Sequence, residues 1–474
     1  MSVDVPGRPP TDPAPHPLPD PSDPGHERAL LRPLDGVRPG LVIGTLVSGA
    51  LAALLVVCWG YQIRNDLGVT GLGRPNFWGL YIATFVFWIG ISHAGTLISA
   101  ILRVTGAEWR RPVTRCAEAI TVFALCIGGL FPIIHLGRPW LFYYILPLPN
   151  ERLLWPNFRS PLVWDVLAIT TYLTGSVLYL LLPLIPDFAI LRDRARARRA
   201  GGLKARLYGL AALGWRGTPR QWHALEQGIR VMAVIIIPVA VSVHTVVSWD
   251  FAMALQPMWH STIFGPYFVA GAIYSGIAML LVTMFALRHG LGLQRYLDER
   301  VFNNLGLLFL TMSMIWAYFT FAEHLTVWYG NETAEMAVYD ARVSGKFAPF
   351  FWSMLALNVA VPLAVLGFRR GRRPLPAALV GVGVIAGMWL ERFVIVVGSL
   401  SLPRLDYTIG SYTPSWVEIG VIAGSFGLFG LLYFLFLQVA PIVSIWEVRE
   451  GEMRAPLSDA GRARPSLSSV AEES

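Results

Sequence analysis

A chain of 474 residues with 54% hydrophobic side chains, 14% charged ones and a mean hydropathy of +0.53 has too little polar surface to clothe soluble domains. Its net charge of +8 comes from arginines clustered between apolar runs with no nucleic-acid motif, which excludes nucleic acid as the partner and points to membrane topology. The cysteines Cys58, Cys116 and Cys126 fall inside apolar runs without CxxC, CxxCH or iron–sulfur spacing, so no metal or cluster site is expected in this chain.

Residues 1–38 are rich in Pro and Asp and poor in large apolar side chains, which predicts a disordered tail. The first apolar run begins only near Leu41, so membrane entry is expected through an uncleaved span. Ten segments then approach the roughly 20 apolar residues that cross a bilayer. They lie at 40–61, 77–103, 112–136, 161–186, 224–248, 260–287, 301–328, 349–368, 375–399 and 415–440. The expected fold is all-α, a ten-span polytopic membrane domain over 39–447 followed by a flexible tail at 448–474.

The loops after spans two, four, six and eight carry twenty Lys and Arg, and the other five loops carry eight. This bias predicts that both termini are cytoplasmic. The basic loop at 192–220 is read as part of that bias. The outer loop at 137–160 is aromatic and proline-rich, which fits an interfacial belt or a docking surface for an external subunit. GLYIATFVFWIG at 79–90 and GPYFVAGAIYSG at 265–276 share Gly and Tyr positions. They suggest two four-helix bundles, spans two to five and six to nine, with spans one and ten flanking.

Ionisable residues in apolar spans are the functional clue, because each is unfavourable there unless something uses it. They gather towards the outer ends: His135, Asp165, His244, Asp250, His260, Glu323, His324, Glu391, Arg392 and Glu418, with His93 near mid-depth. The inner half holds little beyond Glu118, Glu226 and Arg230. Asp165 also fits a helix N-terminus, Asp250 a solvated loop and His260 an interface anchor. Glu391 and Arg392 are adjacent, so they should point about 100° apart rather than neutralise each other on one face. The one-sided layer of carboxyls and imidazoles suits proton-coupled chemistry such as quinol oxidation, in which two hydroxyl protons leave to positioned bases.

SVHTVVSWDFAMALQPMWHSTIFGPYFVAGAIYSG at 242–276, FPIIHLGRPW at 131–140 and FAEHLTVWYGN at 321–331 resemble the NrfD-like polysulfide reductase membrane-subunit family, in particular its ten-span branch in alternative complex III. The resemblance implies a bacterial inner-membrane subunit with no haem or iron–sulfur cluster of its own, binding a quinol, menaquinol ahead of ubiquinol, near the outer face. It implies partners: an iron–sulfur subunit on the periplasmic side, a second homologous membrane subunit, cytochrome c subunits and a terminal oxidase. Carried over by motif, the quinol-site residues are His135, Asp165 and Asp250. His93, His244, Glu323, His324, Glu391 and Arg392 are proton-path candidates. A quinone-reactive anchor of a polysulfide or tetrathionate reductase, a di-haem cytochrome b anchor and a proton-coupled carrier are the competing readings.

Overall fold

A computed structural model describes residues 38–146, 160–197, 202–255, 259–402 and 411–448, with isolated positions 30, 31, 34, 36, 257 and 450. Apart from their edges, the two tails, the aromatic loop beyond 146 and the centre of the basic loop lie outside the described residues. Within those residues all regular structure is helical. Ten helices are long and apolar enough to cross a membrane: Pro39–Asn65, Gly79–Val104, Thr114–His135, Pro161–Ala197, Pro219–Met253, Phe264–Gly290, Glu299–Gly330, Ala348–Leu366, Pro374–Gly398 and Trp416–Val439.

Each matches one span expected from the sequence, and the differences are at the ends. Span five starts at Pro219 because Thr218 caps it, its side chain accepting from the Gln221 amide while Pro219 fixes the first turn. It ends at Met253, so Asp250 belongs to its last turn and is 2% exposed rather than solvated in a loop. Span six starts at Phe264, which leaves His260 in the preceding loop. Glu418 is a cap: Ser415 and Glu418 form a capping box that starts span ten, and Glu418 Oε2 also accepts from the Gly71 amide at 2.7 Å.

Spans two to five pack as one bundle and spans six to nine as another, with spans two and six forming the main seam between them. Spans one and ten pair with each other beside the first bundle. A Cβ at Gly424 would stand 2.5 Å from the Leu55 amide nitrogen, and one at Gly427 would stand 2.7 Å from that of Ala52. Glycine is therefore what lets these backbones touch. In spans eight and nine the helix widens to π turns at Ala356–Ala360 and Val394–Gly398. Widening presents carbonyls to side chains: Asn358 O accepts from Tyr274 and Ser313, each at 2.8 Å, and Val397 O accepts from Asn76 at 3.2 Å.

The arginine-rich ends of the spans hold more buried charge than the sequence suggested. Arg115 of span three pairs with Asp187 of span four, both fully buried. Arg115 also donates to Pro441 O at 3.0 Å, and Asp187 accepts from the amides of Ile445 and Trp446. Glu447 sits between Arg103 and Arg110; burial pushes its carboxyl up, but the two guanidiniums outweigh this and hold it below its ordinary value. Arg111 bonds Glu450 at 3.0 Å. The segment after span ten is thus clamped across the inner ends of spans two to four. Asp187→Ala, which leaves Arg115 buried without its partner, should lower stability by about 3–5 kcal/mol. Thermal melting of the detergent-solubilised chain would show this, and an unchanged midpoint would mean that the clamp carries no stability.

Candidate functional site

His135 ends span three, Asp165 lies on the second turn of span four and Asp250 on the last turn of span five. All three line one cavity of about 630 Å³. Its remaining wall is mainly apolar, including Ile82, Phe85, Leu130, Ile133, Ile169 and Leu173. Leu162 and Phe142 among its lining residues are 46% and 47% exposed.

The backbone determines where each of the three points. Pro132 lies one turn before His135 inside span three. Gly137, at φ +70°, turns the chain away two residues later in a conformation that favours glycine. Gln62 of span one holds this end in place, donating to Ile134 O at 2.8 Å while accepting from Tyr81 Oη at 2.6 Å. The Tyr81 ring meets His135 edge-on at 6.5 Å. On the facing wall, Trp164 and Trp249, neighbours of the two aspartates, pack edge-to-face at 5.9 Å. This brings the two carboxyl groups together.

Oδ1 of Asp165, Oδ1 of Asp250 and Nδ1 of His135 are all buried without a hydrogen-bond partner among the described residues. A contact between two carboxyls is a hydrogen bond only if one of them carries a proton. The set therefore offers two neighbouring carboxyl groups and an imidazole on one side of an apolar chamber, each with bonding capacity left for a ligand.

The proton-path candidates lie deeper and fall into two groups. His93 of span two and His244 of span five have ring centroids 4.5 Å apart within the first bundle. His93 faces carbonyls with both nitrogens, Ile89 O at 2.6 Å and Ala240 O at 2.9 Å, whereas neither nitrogen of His244 has a partner among the described residues. Beyond them, Phe268 packs against His244 on one side and carries the Arg392 guanidinium 4.1 Å over its ring on the other. Arg392 and Glu391 form a buried ion pair at 3.1 Å, so the expectation that adjacent residues would not pair is wrong. A long guanidinium arm can bend back over a 100° separation, and burial leaves it little other choice. Trp316 donates to Glu391 at 2.9 Å.

Nearer the helix ends, Glu323 accepts from Ser261 and His324 Nδ1 faces Thr320 O at 2.8 Å. His260 is exposed and pairs with Glu335. Arg342, in the connecting helix Thr333–Val343, lies 4.3 Å over the Trp259 ring. Burial pushes this guanidinium down to about 10, and it stays cationic at neutral pH. Gln62, Tyr81 and Arg342 were not singled out from the sequence; a polar glutamine inside span one was the available signal.

The architecture defines a multi-pass membrane protein with a partly apolar chamber and a titratable lining. Residues 68–403 match the family described as polysulphide reductase, NrfD, and the chain belongs to that family. It is 27% identical over 420 residues to a putative dimethyl sulfoxide reductase membrane subunit of Halobacterium salinarum, covering 83% of this chain and 90% of the relative. It is 23% identical to a selenate reductase subunit of Mesobacillus selenatarsenatis, covering 84% and 93% of the two chains. It is also 23% identical to an Hdr-like menaquinol oxidoreductase integral membrane subunit of Archaeoglobus fulgidus, covering 80% and 87%.

Cys126 lines the cavity and is exposed, whereas Cys58 and Cys116 are buried. An apolar maleimide should therefore label Cys126 first, and a ligand seated in the chamber should protect it. Intact-mass measurement of label uptake checks this, and faster labelling of Cys116 would contradict the chamber described here.

Proposed function

We propose that this chain is the quinol-binding membrane subunit of a multi-subunit oxidoreductase, and that the His135, Asp165 and Asp250 chamber is its quinol site. The observation that carries the reading is the meeting of these three side chains, drawn from three spans, on one apolar cavity. A quinol is an apolar ring and tail with two hydroxyl groups. The aliphatic wall suits the ring and tail, and the few convergent polar groups suit the hydroxyls.

Oxidation of a quinol releases two protons and two electrons. His135 and the aspartate pair are placed to accept the hydroxyl protons, with Asp250 holding or taking the second. The electrons pass to an iron–sulfur cluster of a partner subunit, since this chain's own cysteines have no cluster spacing. Asp250 lies six residues beyond His244 on span five, about 9 Å of helix rise. In this reading His244, His93, Glu391 and Arg392 move protons across the bundle seam, and Glu323 and His324 serve the outer end. The arginine-rich loops face the cytoplasm with both termini, in a bacterial inner membrane.

Two settings for the subunit remain in view. Ten spans and the SWDF and HLGRP motifs favour a quinol-oxidising complex of the alternative complex III type. The dimethyl sulfoxide and selenate reductase relatives favour an anchor that feeds a terminal reductase. The menaquinol named for the Archaeoglobus relative supports a menaquinol substrate in either setting. A di-haem reading is disfavoured because His93 and His244 meet ring to ring rather than end-on across a space for iron, and both His93 nitrogens face carbonyls.

Asp165→Asn in the assembled complex should lower quinol-dependent reduction of the partner by about 10²–10⁴-fold while subunit assembly persists. Normal turnover would refute the site. Glu391→Gln should slow turnover while leaving binding of a quinone analogue unchanged, read as analogue protection of Cys126. Loss of that protection would instead place Glu391 in binding.

A further inference from the structure

A second hollow lies on the arginine-rich side, where span seven begins and spans eight and nine meet. It measures about 540 Å³ and is lined by Arg300, Arg369, Arg370, Arg372 and Arg373, with Glu299 as the sole acid. The turn that presents four of these arginines is tight. Gly371 is buried, and a Cβ there would stand 2.6 Å from the Val365 carbonyl carbon, so the flanking side chains must fan outward.

Arg372 is fixed. Its stem crosses Gly306, where a Cβ would come within 3.0 Å of it, and its guanidinium donates to Asn303 Oδ1 at 3.0 Å and Leu366 O at 2.7 Å. Arg300, Arg369, Arg370 and Arg373 are exposed and make no ion pair among the described residues.

A topological charge bias asks only that arginines lie on one side of the membrane; it does not ask five of them to converge on one hollow. Convergence against a single carboxylate is repulsive until an anion enters, and the planar fork of arginine matches phosphate oxygens in pairs. The hollow also lies at the ends of three spans, the level at which a bilayer carries its phosphates. Below it, Leu307, Leu363 and Leu375 are 44%, 43% and 53% exposed, giving acyl chains an apolar surface to follow.

We propose that this hollow binds the phosphate headgroup of an anionic phospholipid from the leaflet on the arginine-rich side, and that a headgroup with two phosphodiesters matches its charge best. The proposal is independent of the quinol reading. Such a lipid would tie span seven to the turn between spans eight and nine.

The test uses the full chain in neutral-lipid nanodiscs, with native mass spectrometry of bound lipid as cardiolipin is titrated in. R369Q/R370Q should weaken retention about thirtyfold. R206Q/R220Q, an equal charge change on exposed helix residues that do not line the hollow, should leave it unchanged. Equal retention by wild type and R369Q/R370Q overturns the proposal. If that variant does not fold, R300Q on the opposite wall carries the comparison, and unchanged retention again overturns it. A parallel titration of delipidated wild type with inorganic phosphate separates the sources. Arginine-dependent uptake of phosphate without preference for the phospholipid would make the occupant a free anion and sink the lipid assignment.

Discussion

Every polar group below the membrane surface has to be met by another group of the chain or by a ligand, and the architecture follows from that constraint. At the arginine-rich ends the buried charges are met by opposite charges of the chain. Arg115 and Asp187 neutralise each other, and the chain after span ten folds back to supply two amides to Asp187 and Glu447 to Arg103 and Arg110. In the chamber the constraint is met only in part, because one oxygen of each aspartate and one nitrogen of His135 are left over. The contrast separates a structural clamp from a site built from similar residue types.

The two bundles divide the work unevenly. The first carries the chamber and the clamp, while the second contributes the Glu391–Arg392 pair and the π turns. They meet where His244 of span five packs against Phe268 of span six, and where Gly90 keeps span two close to span six: a Cβ there would already lie 3.5 Å from Ser275 Oγ. The joint is therefore polar at its centre and closely packed around it, which couples the position of His244 to the packing of both halves.

Much of this was legible in the sequence. Ten apolar runs separated by loops with a Lys and Arg bias give the spans, and ionisable residues inside such runs stand out because so little else there is polar. That placed His135, Asp165 and Asp250 among the candidates, and the resemblance of their motifs to the family picked them out before their meeting was visible. Asp250 looked like a loop residue because hydropathy falls off before backbone hydrogen bonding does, and span five runs five residues past its apolar core. The inner clamp was hidden for another reason. Arginines at span ends are explained well enough by topology, and nothing local in Asp187 or Glu447 announces partners more than 70 residues away. The π turns have no sequence signal in hydrophobic periodicity, since inserting one residue shifts a face without removing it.

The exposed rim of the chamber at Leu162 and Phe142 has a kinetic consequence. A ligand that entered there from the hydrocarbon phase would have a working concentration set by its mole fraction in lipid rather than by an amount per volume of buffer. Diluting the membrane with inert lipid or detergent lowers the rate at fixed total substrate, whereas adding buffer does not. An apparent Michaelis constant for such a ligand would thus be a property of the surrounding bilayer as much as of the side chains that line the cavity.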